Sequence, residues 1–120
     1  MTVGLDILEP ERLEAALARR PGLRERLFLP GELAYADSRA RPALHLAGRF
    51  CAKEAVTKAL GLDVFAPRDV EVVGGGAGTS VRLHGAAAAR AAELGSGVAI
   101  SMTHVRGLAA AVATLEPVRS

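Results

Sequence analysis

Residues 48–61, Gly-Arg-Phe-Cys-Ala-Lys-Glu-Ala-Val-Thr-Lys-Ala-Leu-Gly, constrain this chain more than any other stretch. On a helix, Cys51, Ala52, Ala55, Val56, Ala59 and Leu60 share one apolar stripe, the pattern of a helix packed on a core. Arg49, Lys53, Glu54, Thr57 and Lys58 are expected on the other face, with Phe50 among them. A face turned only to water has no use for a phenyl ring between charges, whereas a covered face holding a charged ligand does. Pro42 and Gly61 bracket the helix, proline suiting a first turn and glycine an end.

The rest of the chain reads as short elements around that helix. Residues 2–8 are expected as a strand rich in apolar and β-branched residues. Pro10 opens a helix that Pro21-Gly22 ends, and Leu13, Ala16 and Leu17 form its inner stripe. Helical turns are expected at 23–28 and 32–37. Residues 69–73 and 79–84 alternate as strands about Gly74–Gly78, residues 86–94 are an alanine-rich helix, and 97–103 and 108–115 pair about Arg106-Gly107. Strand, helices, strands, helix, strands is an α+β order with a mainly antiparallel sheet packed on one long helix. The 120 residues suit a single domain, 1–120.

Half the residues are apolar, yet there are only three Phe, one Tyr and no Trp. Much of the core must therefore be alanine, too small to fill it alone, so subunit contacts are expected to complete it. The net charge is +2, but Arg12, Arg19, Arg20, Arg24, Arg26, Arg39 and Arg41 crowd the first half, which suits an acidic partner or phosphate groups. Interleaved acids and scarce stacking rings argue against nucleic acid. A lone Cys51 rules out an internal disulfide or a cysteine zinc cluster and fits a reducing cytosol. No apolar run reaches membrane-spanning length, and no secretion signal opens the chain, so a cytoplasmic protein is expected.

Asp6 stands in an apolar strand, where Asp is disfavoured and a buried carboxylate must be paired or bind metal. An exposed Asp, or one capping the next helix, is the equal alternative. Glu54 and Lys58 form an i,i+4 pair, while Arg49 and Lys53 form a like-charge one that is destabilising unless an anion joins it. Two hard carboxylates with cationic side chains are what a Mg²⁺–diphosphate site needs. Ser101 and Thr103 alternate on one strand face before His104, where they could donate to phosphate. Gly74–Gly78 joins two strands and fits neither a dinucleotide fingerprint nor a Walker A loop, so a flexible hairpin is expected. His45 and His84 are expected as isolated surface residues.

Three blocks in order resemble the holo-acyl-carrier-protein synthases, the small 4'-phosphopantetheinyl transferases. Gly4-Leu5-Asp6-Ile7-Leu8-Glu9-x-x-Arg12 resembles their G-x-D-I-x-E-x-x-R start. Residues 48–61 resemble R-F-x-x-K-E-A-x-x-K-A-x-G, and Ser101–His104 resembles S-x-S/T-H. The resemblance implies a 4'-phosphopantetheinyl transferase-like fold in a homotrimer with active sites at subunit boundaries. It implies that a serine of apo acyl carrier protein attacks the β-phosphate of coenzyme A, with Mg²⁺, releasing adenosine 3',5'-bisphosphate. It assigns Asp6 and Glu54 to the metal. Glu54, Lys53 and His104 become catalytic, Arg49, Lys58, Ser101 and Thr103 hold coenzyme A, and Arg12 and Arg19 meet the acidic carrier protein. The proton acceptor stays open between Glu54, through a water, and His104.

Two departures stand out. Gly78-Thr79-Ser80 replaces the family's Gly-Lys-Pro, which bears on contacts to the adenosine end. Gly107-Leu108 replaces an aromatic after the last motif. Rival readings are the same chemistry serving a polyketide or other secondary-metabolite carrier, a non-catalytic carrier-binding module, and a basic nucleic-acid binder. The second predicts loss of a carboxylate; the third predicts aromatics among the arginines, where only Phe28 and Tyr35 occur in residues 10–42.

Overall fold

Prolines start three helices in the computed structural model, which describes residues 3–118. The elements run β1 Val3–Leu8, α1 Pro10–Arg19, α2 Leu23–Leu27, α3 Pro30–Asp37, α4 Pro42–Ala59, β2 Val70–Val73, β3 Ser80–Leu83, α5 Gly85–Leu94, β4 Ser96–Val105 and β5 Leu108–Pro117. Thr2, the first residue of the expected opening strand, lies outside the described residues. The expected α+β order holds, and all strand pairs are antiparallel: β1-β5-β4 form one sheet, β2-β3 a hairpin. No helix among the described residues is long and apolar enough to cross a membrane.

Small residues let the sheet lie directly on α4. A Cβ at Gly4 would stand 1.9 Å from the Ala55 carbonyl oxygen, so only glycine permits this approach. Ala109, Ala111 and Ala113 of the central strand are buried beneath the same helix. Side chains alternate along β1, so Gly4, Asp6 and Leu8 turn inward while Val3, Leu5 and Ile7 turn out. The outward three are 43%, 61% and 63% exposed.

The two-faced reading of α4 needs correction. Arg49, Lys53 and Thr57, expected on a polar face that holds a charged ligand, are buried by the chain itself. The turn at Pro67–Asp69, β2 and α3 close over that side of the helix, so α4 is wrapped on most of its circumference. Lys53 Nζ reaches Glu32 Oε1 at 2.8 Å, Pro67 O at 2.7 Å and Val70 O at 2.6 Å. Glu32 in turn accepts from the backbone N–H groups of Leu29 and Val72, both at 2.9 Å. Burial pulls the Lys53 pKa down and Glu32 opposes it. A buried charge is tolerated when its partners are complete, and here they lie in the chain itself. Lys53 is therefore a tie between α4, α3 and β2, and it is not open to a ligand.

Candidate functional site

The polar residues collect in two clusters. The first forms where β1 crosses α4. Asp6 points at the helix, and its charge, after burial, raises the Glu54 pKa. Lys58 does not pair with Glu54 as its spacing allows. Its Nζ reaches Asp6 Oδ1 at 3.3 Å and Leu5 O at 2.9 Å. Beneath lies Cys51, its Sγ 3.7 Å from Ala109 O. Burial first, then the Asp6 charge and a hydrogen bond to it, push this thiol up to about 12. Two half-buried carboxylates that repel each other, with one half-exposed ammonium beside them, form a site suited to a cation.

The donor set fits Mg²⁺. Among the described residues no group of three His, Cys, Asp or Glu gathers as a full cage. One or two carboxylates are what this ion takes when substrate phosphates and waters supply the rest.

The second cluster is a cavity of about 310 Å³ whose walls include Tyr35, His45, Arg49, Gly75, Thr103 and His104. Arg49 is 3% exposed and donates to Gly74 O, and its guanidinium stacks 4.3 Å from the Tyr35 ring centroid. Its Nε has no partner. Burial lowers its pKa, and Glu32 opposes this, yet a guanidinium stays charged. The Gly74–Gly78 turn is part of the wall. A Cβ at Gly75 would stand 2.2 Å from Tyr35, and Gly74 and Gly76 have φ of 83° and 60°. No carboxylate is among the lining residues, so the cavity presents cationic and donor groups and suits an anion.

Asp6, Glu54 and Lys58 are thus brought together, and Arg49, Thr103 and His104 are brought together elsewhere. Ser101 joins neither cluster, because register places it opposite Val112 on the outward sheet face beside Leu5. His45 does not stand alone as expected. Its ring meets His104 at 5.1 Å and Tyr35 at 5.6 Å, both edge-on. The available signal was its i,i+4 spacing to Arg49, which puts both on one helix face. His84 pairs with Glu71 at 2.9 Å. Arg12 and Arg19 lie exposed on α1.

A family model described as the 4'-phosphopantetheinyl transferase superfamily matches residues 2–113. The chain belongs to this superfamily. It is 43% identical over 120 residues to the holo-[acyl-carrier-protein] synthase of Moorella thermoacetica, covering 97% of this chain and 94% of the relative. It is 45% identical over 118 residues to that of Streptomyces coelicolor, covering 95% of each. The solved ACPS-CoA complex of Chronobacterium ammoniagenes superposes with a TM-score of 0.84 at 30% identity, over 98% of both chains. In this phosphopantetheinyl transferase, the β1–α4 crossing holds the two carboxylates of the family's motifs, and the strand ending in His104 lines the basic cavity.

Proposed function

We propose that this protein is a holo-acyl-carrier-protein synthase, moving 4'-phosphopantetheine from coenzyme A to a serine of apo acyl carrier protein. The observation that carries the reading is the meeting of Asp6 and Glu54, distant in sequence, with Lys58 over the close β1–α4 contact. Names of relatives and the coenzyme A complex of one of them support the same substrates. The serine oxygen forms a bond to the β-phosphorus of coenzyme A. The bond from that phosphorus to the bridging oxygen breaks, and adenosine 3',5'-bisphosphate leaves with that oxygen. Asp6 and Glu54 would hold Mg²⁺, which supplies charge neutralisation on the diphosphate. Lys58, the exposed cation of that cluster, reaches over to a phosphate oxygen. Glu54 takes up the serine proton through a water rather than on its metal-holding oxygen. Arg49, Thr103 and His104 hold a phosphate of coenzyme A in the basic cavity, where the orphan Arg49 Nε supports an anion. Release of adenosine 3',5'-bisphosphate only when coenzyme A and apo carrier protein are both present tests the reading.

The two clusters lie apart on one chain, and a homotrimer lets one copy's carboxylates face another copy's basic cavity. The outward apolar strip Val3, Leu5 and Ile7 supports this, since such patches mark interfaces. Ser101 and the rim residue Thr103 lie on the same sheet face, where a neighbouring copy would bring ligand to them. Light scattering should give a trimer at micromolar concentration; a monomer would reject shared sites. The free, buried Cys51 suits the reducing cytosol, where we place the reaction.

Arg12 and Arg19 lie two turns apart on the exposed side of α1 and are proposed to receive the acidic carrier protein. Charges at an interface rim act mainly on association rate and salt dependence. Replacing both with Glu should raise the Michaelis constant for carrier protein about tenfold, a cost of about 1.4 kcal/mol, and flatten its salt dependence. The constant for coenzyme A should stay within twofold. Unchanged carrier-protein kinetics would put docking elsewhere.

A further inference from the structure

The basic cavity contains a histidine that the proposed reaction leaves unused. His45 sits one turn before Arg49 on α4, with its ring inside the cavity wall. Every element around it contributes something. Tyr35 comes from α3, Arg39 from the α3–α4 connection, Arg49 from α4, and His104 from β4. Both Arg39 and Arg49 stack on Tyr35, at 4.7 and 4.3 Å from its centroid. The Gly75–Gly76 turn adds backbone and Thr79 a hydroxyl. No acid lines the cavity, and Glu32, which acts on Arg49, is spent on Lys53. Desolvation first, then the neighbouring His104 ring and the Arg39 and Arg49 guanidiniums, hold His45 below the ordinary histidine range. In the free cavity its ring is therefore neutral at pH 7.

We propose that His45 takes up a proton when a phosphate-bearing ligand enters this cavity, and so makes affinity for that ligand fall as pH rises. A neutral imidazole offers one N–H donor, and the imidazolium offers two. Beyond desolvation, the fields that disfavour the cation in the free cavity come from the neighbouring basic groups. A phosphate dianion among them reverses the sign of the local field and favours the protonated ring. His45 is thereby a specificity residue: it rewards a doubly charged phosphate group over a neutral or singly charged one. The inference rests on the reading of the cavity as the coenzyme A phosphate site.

The test uses the full chain and adenosine 3',5'-bisphosphate. Calorimetric titrations at pH 7 in buffers of different ionisation enthalpy count the protons exchanged on binding. The wild type should take up roughly half to one proton, and its affinity should fall about threefold to tenfold from pH 7 to 8, the linkage for that uptake. The ligand's own second ionisation, near pH 6, lies below this window. His45→Gln and His45→Phe should each lose most of the uptake and flatten the slope. The His45 ring-proton NMR signal, assigned by its loss in His45→Gln, should titrate at higher pH with ligand than without. Wild-type uptake and slope in both variants, or a His45 signal that ligand leaves unmoved, would overturn the inference and leave the transferase reading standing. Failure of the wild type to bind the bisphosphate at millimolar concentration would instead overturn the cavity assignment, and this inference with it.

Discussion

Glu54→Gln and Asp6→Asn should each reduce turnover about 10²–10³-fold, the scale of losing one electrostatic partner of a transition state, with no loss of thermal stability. The two effects have one cause. Burial and the Asp6 carboxylate raise the Glu54 pKa, so the pair is under repulsion that nothing within the fold fully relieves. Among the described residues, the cation paired with Asp6 is Lys58, which is half exposed. An isosteric amide removes that repulsion and should leave the melting temperature equal or slightly higher, the trade of stability for activity found at functional sites. Mg²⁺ should raise the melting temperature of the wild type, because a ligand that binds only the folded state stabilises it. It should do so little or not at all in either variant. Activity within tenfold of wild type in both variants would remove the carboxylates from the mechanism.

Lys53→Met should have the opposite profile, a large loss of stability. It leaves the Glu32 carboxylate buried without its cation, and breaking a buried pair costs about 3–5 kcal/mol. Thermal unfolding should fall by about 10–20 °C for a chain of this size. Glu32→Leu combined with Lys53→Met removes both charges and should recover most of the loss, since an apolar pair of similar volume is often as stable as the ions it replaces. A single variant melting within about 3 °C of wild type would show that the buried tie contributes little to stability.

The legible parts of this fold are those whose cause lies in a short window. Pro42 and Gly61 bracket α4, and the inward alternation of β1 follows from its apolar pattern. Asp6 stood out because a carboxylate in an apolar strand needs a reason. Other features depend on partners that spacing does not show. Lys53 looked like one of several charges on a polar face because Glu32, its counter-charge, lies on another helix. The β2–β3 hairpin that covers that face meets α4 through contacts between residues distant in sequence, such as Lys53 with Val70 O. The Gly74–Gly78 turn joins β2 and β3 as the expected hairpin, but its place in the cavity wall was hidden because it depends on Tyr35, which packs where a Gly75 side chain would stand. His45, expected as an isolated surface residue, was misjudged for the same reason, and the outward side of Ser101 was equally hidden. A cavity assembled from α3, α4, one turn and β4 has no signature in any one of them, and the inner or outer sense of β4 is fixed only by its register with β5.

Intact-mass spectrometry of an apo acyl carrier protein incubated with this chain, coenzyme A and Mg²⁺ tests the central claim most directly. The account predicts that the carrier gains one phosphopantetheine. The gain should be lost when its acceptor serine is replaced by alanine, when Mg²⁺ is chelated, and in Glu54→Gln. An unmodified carrier after prolonged incubation with the folded wild-type protein, tested across carriers of both fatty-acid and polyketide type, would contradict it.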